Sequence, residues 1–305
     1  MHRILRIVAL ALALSAGLAS LAQAKPDWAQ KYPEVTLGVV TSENEADRTI
    51  RYKPVQEYFE KRFGIKINWR TATDYAGIIE GVKAGKIQLA YFGPASYAKC
   101  YIVTGGKVEP LAGALDEEGK LGYYSVVAVR KDSPYQSVKD LKGVKFAFAD
   151  PNSTSGFQAP SFFLTEQGYK PDEFFGSCTF SGSHENSVMG LVNGTYDAVA
   201  TSYKSENSSN LTRMESKGMI PPGQCRVIWK SPLLPSSPWA MPTDLPEAMR
   251  KDFQKAIIDM PTASPEAWKG WSAGMKDTGF VAVTHADYEP VVRMIQSNLK
   301  ERRGS

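Results

Sequence analysis

A chain of 305 residues with 43% apolar side chains can bury sizeable hydrophobic cores, and at this length it is expected to form two domains. Its formal charge of +4, with no dense Lys/Arg block before Lys300-Glu301-Arg302-Arg303, argues against nucleic acid as a partner. Three cysteines, with no CxxC or HExxH spacing, do not make a metal centre.

The first elements are an address. Met1 to Arg6 is short and basic, Ile7 to Leu21 is apolar, and Ala22-Gln23-Ala24 has the A-x-A form of a cleavage site. Residues 1–24 therefore read as a secretory signal removed after Ala24, leaving residues 25–305 as an exported, soluble protein. No cysteine stands at the cleavage point to carry a lipid anchor, and no later segment is apolar enough to span a bilayer. In an oxidising compartment Cys178 and Cys225, both at expected strand edges, are a candidate bridge, which leaves Cys100 unpaired.

From Val35 onward, runs rich in β-branched residues alternate with helical patterns, the signature of an α/β fold. Val35–Val40 reads as a strand, Lys53–Arg62 as an amphipathic helix and Ile65–Arg70 as a second strand. Asp74–Ala84 reads as a helix with Asp74 as N-cap and Gly85 as its C′ residue, and Ile87–Phe92 as a third strand broken at Gly93-Pro94. Gly122–Val129 is a long strand that would cross into a second lobe.

There Val144–Ala149 feeds the octapeptide Asp150-Pro-Asn-Ser-Thr-Ser-Gly-Phe157, and a helix is expected over Gln158–Gln167. A strand delivering small hydroxyl residues to a helix start makes an anion cradle. The hydroxyls donate, the first helical N–H groups are unpaired, and the helix dipole favours negative charge. The competing interpretation is an ordinary N-cap turn.

The second half repeats the grammar of the first. Val144 corresponds to Val35, Ser183 to Asp74 as N-cap, His184 to Tyr75, Gly190 to Gly81 and Gly194 to Gly85, while Asp197–Ala200 reprises the strand ending at Phe92. Arg226–Pro232 would carry the chain back. The Pro-rich stretch 231–246 reads as irregular surface chain whose Leu233, Leu234, Trp239 and Met241 need burial, and the helical remainder completes the first lobe. The expected division is thus 25–125 with 231–305 for one lobe and 126–230 for the other, with two crossing segments as hinge.

These residues resemble the phosphonate-binding periplasmic proteins of bacterial ABC importers. The resemblance extends over nearly all of residues 25–305 and rests on Asp150–Phe157, Asp74-Tyr-Ala-Gly-Ile-Ile79, Gly122-Tyr-Tyr-Ser-Val126, Lys131-Asp-Ser-Pro134, His184-Glu185 and Val227-Ile-Trp-Lys-Ser-Pro232. It implies a type II periplasmic binding fold, two lobes joined by a two-strand hinge, and a monomer that presents a phosphorus oxyanion to a membrane permease, with no cofactor or metal. Carried over by motif, the head group would be held by Ser153, Thr154, Ser155, Tyr75, Tyr123 and His184. Relatives that bind aminoalkylphosphonates hold the ammonium with two carboxylates. Glu206 matches the first, whereas Ser237 stands where the second is expected. Phosphite, methylphosphonate and phosphate therefore remain open as ligands, and Trp239 is a candidate to close the pocket over a small one.

Two rival roles are a sensor-input protein of the same fold and a bilobal enzyme. Against catalysis, His184 and His285 are the only histidines after the leader, no GxSxG elbow exists, and Gly81–Lys86 lacks phosphate-loop spacing. A Ser153/His184 pair would lack an evident orienting carboxylate.

Overall fold

The computed structural model describes residues 25–40, 45–70, 72, 74–273 and 275–304, so the leader expected at 1–24 lies outside the described residues. The chain opens with a short helix α1 (Trp28–Lys31), then β1 (Glu34–Val39), α2 (Glu45–Phe63), β2 (Lys66–Arg70), α3 (Tyr75–Lys83) and β3 (Leu89–Tyr91). Strand β1 lies between β2 and β3 and is parallel to both. Helix α4 (Pro94–Val103) and β4 (Val108–Leu115) follow, and β5 (Tyr124–Arg130) leaves for a second sheet.

In that sheet β6 (Lys145–Phe148) leads into a π turn (Thr154–Gln158) and α5 (Ala159–Glu166), then α6 (Pro171–Phe174), β7 (Ser177–Phe180), α7 (His184–Val192) and β8 (Ala198–Ser205). Here β6 lies parallel between β7 and β8. The short β9 (Ser208–Ser209), α8 (Asn210–Ser216) and β10 (Cys225–Lys230) end the excursion. The chain then returns through β11 (Pro238–Pro242), α9 (Glu247–Ala263), α10 (Pro265–Trp271), β12 (Gly279–Ala282) and α11 (Glu289–Gly304). The sheet orders are β12-β4-β11-β3-β1-β2 and β10-β5-β8-β6-β7, with β9 beside β8.

The expected internal repeat has a physical basis at each paired position. Asp74 Oδ1 accepts from Gly77 N at 2.9 Å, and Ser183 Oγ accepts from Asn186 N at 3.0 Å, so each caps a nine-residue helix. Both helices close on a left-handed glycine, Gly85 at φ 68° and Gly194 at φ 77°. A Cβ on Gly81 would sit 2.6 Å from Ile87, and one on Gly190 2.5 Å from Tyr196, so each glycine lets its helix lie close against the following chain. Replacing Ser183 by Ala removes one cap and is expected to lower stability by about 1 kcal/mol, read as a shift in the urea midpoint at constant slope.

Two expectations about the chain need correction. The stretch 231–246 is not irregular surface chain throughout: Pro238–Pro242 is a fully buried strand, antiparallel between β3 and β4. Its prolines occupy the two ends, where a missing ladder N–H is tolerated. Trp239 is fully buried with ring centroids 5.1 Å from Trp271, 5.2 Å from Tyr91 and 6.3 Å from Phe59. It fills the first sheet's core and does not close the cavity. Leu234 is buried as expected, whereas Leu233 is half exposed.

The second correction concerns the cysteines, none of which forms a disulfide among the described residues. Cys178 lies on β7 and Cys225 on β10, the opposite edges of one sheet, so three strands separate them. That separation is beyond the reach of a disulfide.

The crossing segments run side by side. Tyr123 N donates to Leu234 O (3.0 Å), Leu234 N donates to Tyr123 O (2.8 Å) and Ser231 N donates to Ser125 O (2.9 Å). A third contact joins the lobes behind this hinge. Helix α11 packs its Val291, Met294 and Ile295 with Ala95 and Ala98 of α4 and with Ala159 of α5, and Asn298 Nδ2 donates to Gln158 O at 3.0 Å.

Candidate functional site

Strand β6 ends at a turn built by the buried Asp150. Its carboxylate accepts from Asn152 N at 2.6 Å and from Tyr75 N, across the cleft, at 3.5 Å. Burial raises its pKa above the usual carboxylate range, against the lowering effect of those two amides. The turn sets up Ser153, whose Oγ accepts from Gly156 N at 3.0 Å and whose carbonyl accepts from Gln158 N at 2.9 Å. This single π turn fixes the three hydroxyl residues at the head of α5, and such turns recur at functional sites. The amides of Thr154 and Ser155 have no hydrogen-bond partner among the described residues.

Ser153, Thr154 and Ser155 are almost wholly shielded from solvent yet line a cavity of about 120 Å³ between the lobes. The first lobe contributes a second helix start. Ala95 N, in the first turn of α4, donates to Thr154 Oγ1 at 2.8 Å. The hydroxyl proton of Thr154 is thereby left for another acceptor. Tyr75, at the first position of α3, and His184, at the first position of α7, come from corresponding places in the two lobes and both line the cavity, as does Tyr123 from the hinge.

The two phenols and the imidazole are held in their neutral forms. Burial pushes the Tyr123 phenol up to about 12 and raises Tyr75 further, with the Asp150 charge adding to the effect on Tyr75. Burial pushes His184 down to about 4, and the neighbouring Arg213 cation adds to the shift, so the ring is neutral at pH 7.

The ring's partners then connect its tautomer to the cavity. Asn210 Nδ2 donates to Thr201 Oγ1 (3.1 Å), Thr201 Oγ1 lies 3.1 Å from His184 Nδ1, and Nε2 lies 3.0 Å from Ser153 Oγ. An oxyanion that takes the Ser153 hydroxyl proton requires the proton of His184 on Nε2 and donation from Thr201 to Nδ1. The chain Asn210, Thr201, His184, Ser153 is then a run of donors aimed into the cavity.

The expected residues divide into two groups. Tyr75, Tyr123, Ser153, Thr154, Ser155, His184 and Ser237 all line the one cavity. Ser237 stands beside the Tyr91 and Tyr123 phenols and favours a lower pKa in each, against the larger rise that burial causes. Glu206 is brought elsewhere. It sits exposed in the tight turn between β8 and β9 and is not among the lining residues, because the hairpin directs its turn to solvent. A carboxylate the sequence did not single out, Asp277, lines the cavity and is ion-paired with Lys204 of β8.

Arg51, Tyr91, Asn210 and Arg213 also line it unforeseen. Arg51 is held by Trp271 O at 2.8 Å with its guanidinium over the Tyr52 and Trp271 rings. Arg213 is buried against Glu185 at 3.0 Å. Lone charged residues in loops or on helix faces give no periodic signal, so only the assembled cleft shows them together.

Residues 37–288 match the family model described as ABC transporter, phosphonate, periplasmic substrate-binding protein. The chain is 32% identical to the phosphate-import protein PhnD of Mycolicibacterium smegmatis, over 95% of this chain and 94% of that protein. It is 31% identical to the phosphonates-binding periplasmic protein of Escherichia coli, over 71% of this chain and 63% of that protein. Among solved structures, PhnD1 of Prochlorococcus marinus in complex with methylphosphonate superposes with a TM-score of 0.74 at 20% identity, covering 88% of this chain and 99% of that one. The fold is accordingly that of a type II periplasmic binding protein, two α/β lobes on a two-strand hinge.

Proposed function

Because the chain belongs to the family of periplasmic substrate-binding proteins of phosphonate ABC transporters, we propose that it closes on a small tetrahedral phosphorus oxyanion and delivers it to a membrane permease. The observation that carries this reading is the convergence, on one small cavity, of Ser153–Ser155 at a helix start with Tyr75, Tyr123 and His184. A phosphonate offers three acceptor oxygens and up to two negative charges, and this surface offers neutral donors, of which Ser153, Thr154 and His184 are held in place by second hydrogen bonds. Charge-assisted hydrogen bonds contribute roughly 1.5–3 kcal/mol each, so several suffice for micromolar binding at about −8 kcal/mol. The cavity of about 120 Å³ is far below the roughly 300–1,000 Å³ of sites for drug-sized ligands. A ligand of a few heavy atoms fits that size.

The lobes act as residues 25–125 with 231–305 and residues 126–230, opening about the paired segments near Tyr123 and Leu234. A ligand site between the lobes of a single chain fits a monomer exported behind a leader cleaved after Ala24. The family transports its ligand and does not transform it.

Calorimetric titration of residues 25–305 with methylphosphonate, phosphite and phosphate tests the reading. At least one is expected to bind at micromolar concentration or tighter. Silence toward all three at millimolar concentration would remove the proposal.

A further inference from the structure

We infer that Lys204 and Asp277 form a counter-ion pair across the cleft that sets the site against ligands carrying a cationic tail. This rests on the oxyanion reading of the same cavity. Lys204 belongs to β8 of the second sheet, and Asp277 lies in the segment before β12 of the first, so the pair joins the two lobes. Both residues line the cavity, and their side chains are only 13% and 3% exposed. Asp277 is the single carboxylate among the described lining residues, in the company of the cations Arg51, Lys204 and Arg213.

A shielded carboxylate facing a ligand is where a ligand ammonium would bind. In this protein an ammonium is already there, supplied by the chain. Lys204 and the amino group of an aminoalkylphosphonate would compete for the same oxygens. For the ligand to win, the lysine must be left charged and desolvated in the closed cleft, which is the costly way to break a buried pair. An uncharged tail, or none, leaves the pair intact. Specificity then comes from a penalty against the wrong ligand as much as from contacts to the right one.

The pair also forms only when the lobes meet. Ser205 to Glu117 and Lys276 N to Ser208 Oγ (3.4 Å) are further contacts across the same opening. A cationic tail seated on Asp277 would hold Lys204 away from the first lobe. It would therefore oppose closure as well as binding.

The test is calorimetry of wild type, Lys204→Met and Lys204→Met/Asp277→Asn with methylphosphonate and 2-aminoethylphosphonate. Wild type is expected to prefer methylphosphonate. Lys204→Met is expected to shift the affinity ratio toward the amino compound by about tenfold or more, and the double variant to reverse that shift. Lys204→Gln replaces the methionine variant if its circular dichroism shows loss of fold. A merely structural lysine would move both affinities equally, and an unchanged ratio overturns this inference while the oxyanion reading stands. Wild type that binds neither phosphonate overturns this inference, and the oxyanion reading then falls only if phosphate and phosphite are silent as well.

Discussion

Ser153→Ala and Thr154→Val are each expected to weaken methylphosphonate binding by about 10- to 150-fold, the equivalent of one charge-assisted hydrogen bond of roughly 1.5–3 kcal/mol. The two changes act by different routes. Ser153 Oγ accepts from Gly156 N and lies against His184 Nε2, so its removal takes one donor from the ligand and leaves two protein groups without their acceptor. Thr154 Oγ1 receives Ala95 N from the opposite lobe, so valine at this place removes a ligand donor and a bond made on closure. Thr154→Ser retains both and is expected to stay within about threefold of wild type. Calorimetry gives the affinities, and small-angle scattering with and without ligand reports compaction. Affinities for Ser153→Ala and Thr154→Val that both stay within a factor of three of wild type would place the ligand elsewhere.

Acid is expected to destabilise the protein through His184. Its folded pKa of about 4 lies below the ordinary 6.5, because burial and Arg213 disfavour the cation. The unfolded chain therefore binds the extra proton first. The stability this group contributes is fully present above about pH 6.5 and is lost as pH falls toward 4. A shift of this size corresponds to about 3 kcal/mol. Urea unfolding of wild type and His184→Gln at pH 7 and pH 4 isolates it. Wild type is expected to lose about 3 kcal/mol more than the variant over that interval. Parallel losses in the two proteins would show that the imidazole titrates normally.

Much of the site was legible because local rules fix it. The run Val144–Phe157 announces a strand, a hydroxyl turn and a helix start, and the caps Asp74 and Ser183 mark two helices whose first residues, Tyr75 and His184, both reach the cavity. What escaped depends on contacts distant in sequence. Strand β11 was hidden by the prolines at its ends, which read as loop until β3 and β4 are seen to flank it. Glu206 matched a motif, but a two-residue hairpin turn decides where its side chain points. Asp277 joins the site only because Lys204, 73 positions earlier, meets it across the cleft. The π turn was not foreseen either, since its i→i+5 bond leaves no distinct residue signature.

The location of β11 has a consequence for how the molecule is made. The second sheet is complete once residue 230 has emerged from the ribosome, because all its strands lie between Tyr124 and Lys230. The first sheet is begun earlier and finished later: β11 must slot between β3 and β4, and β12 must add to the edge, after the whole second lobe has been synthesised. Until then β3 and β4 present unpaired inner edges to each other and to any neighbouring chain. The lobe that starts first is thus the one that waits, and truncated chains ending before Trp239 would carry a finished second lobe beside a split, adhesive first one.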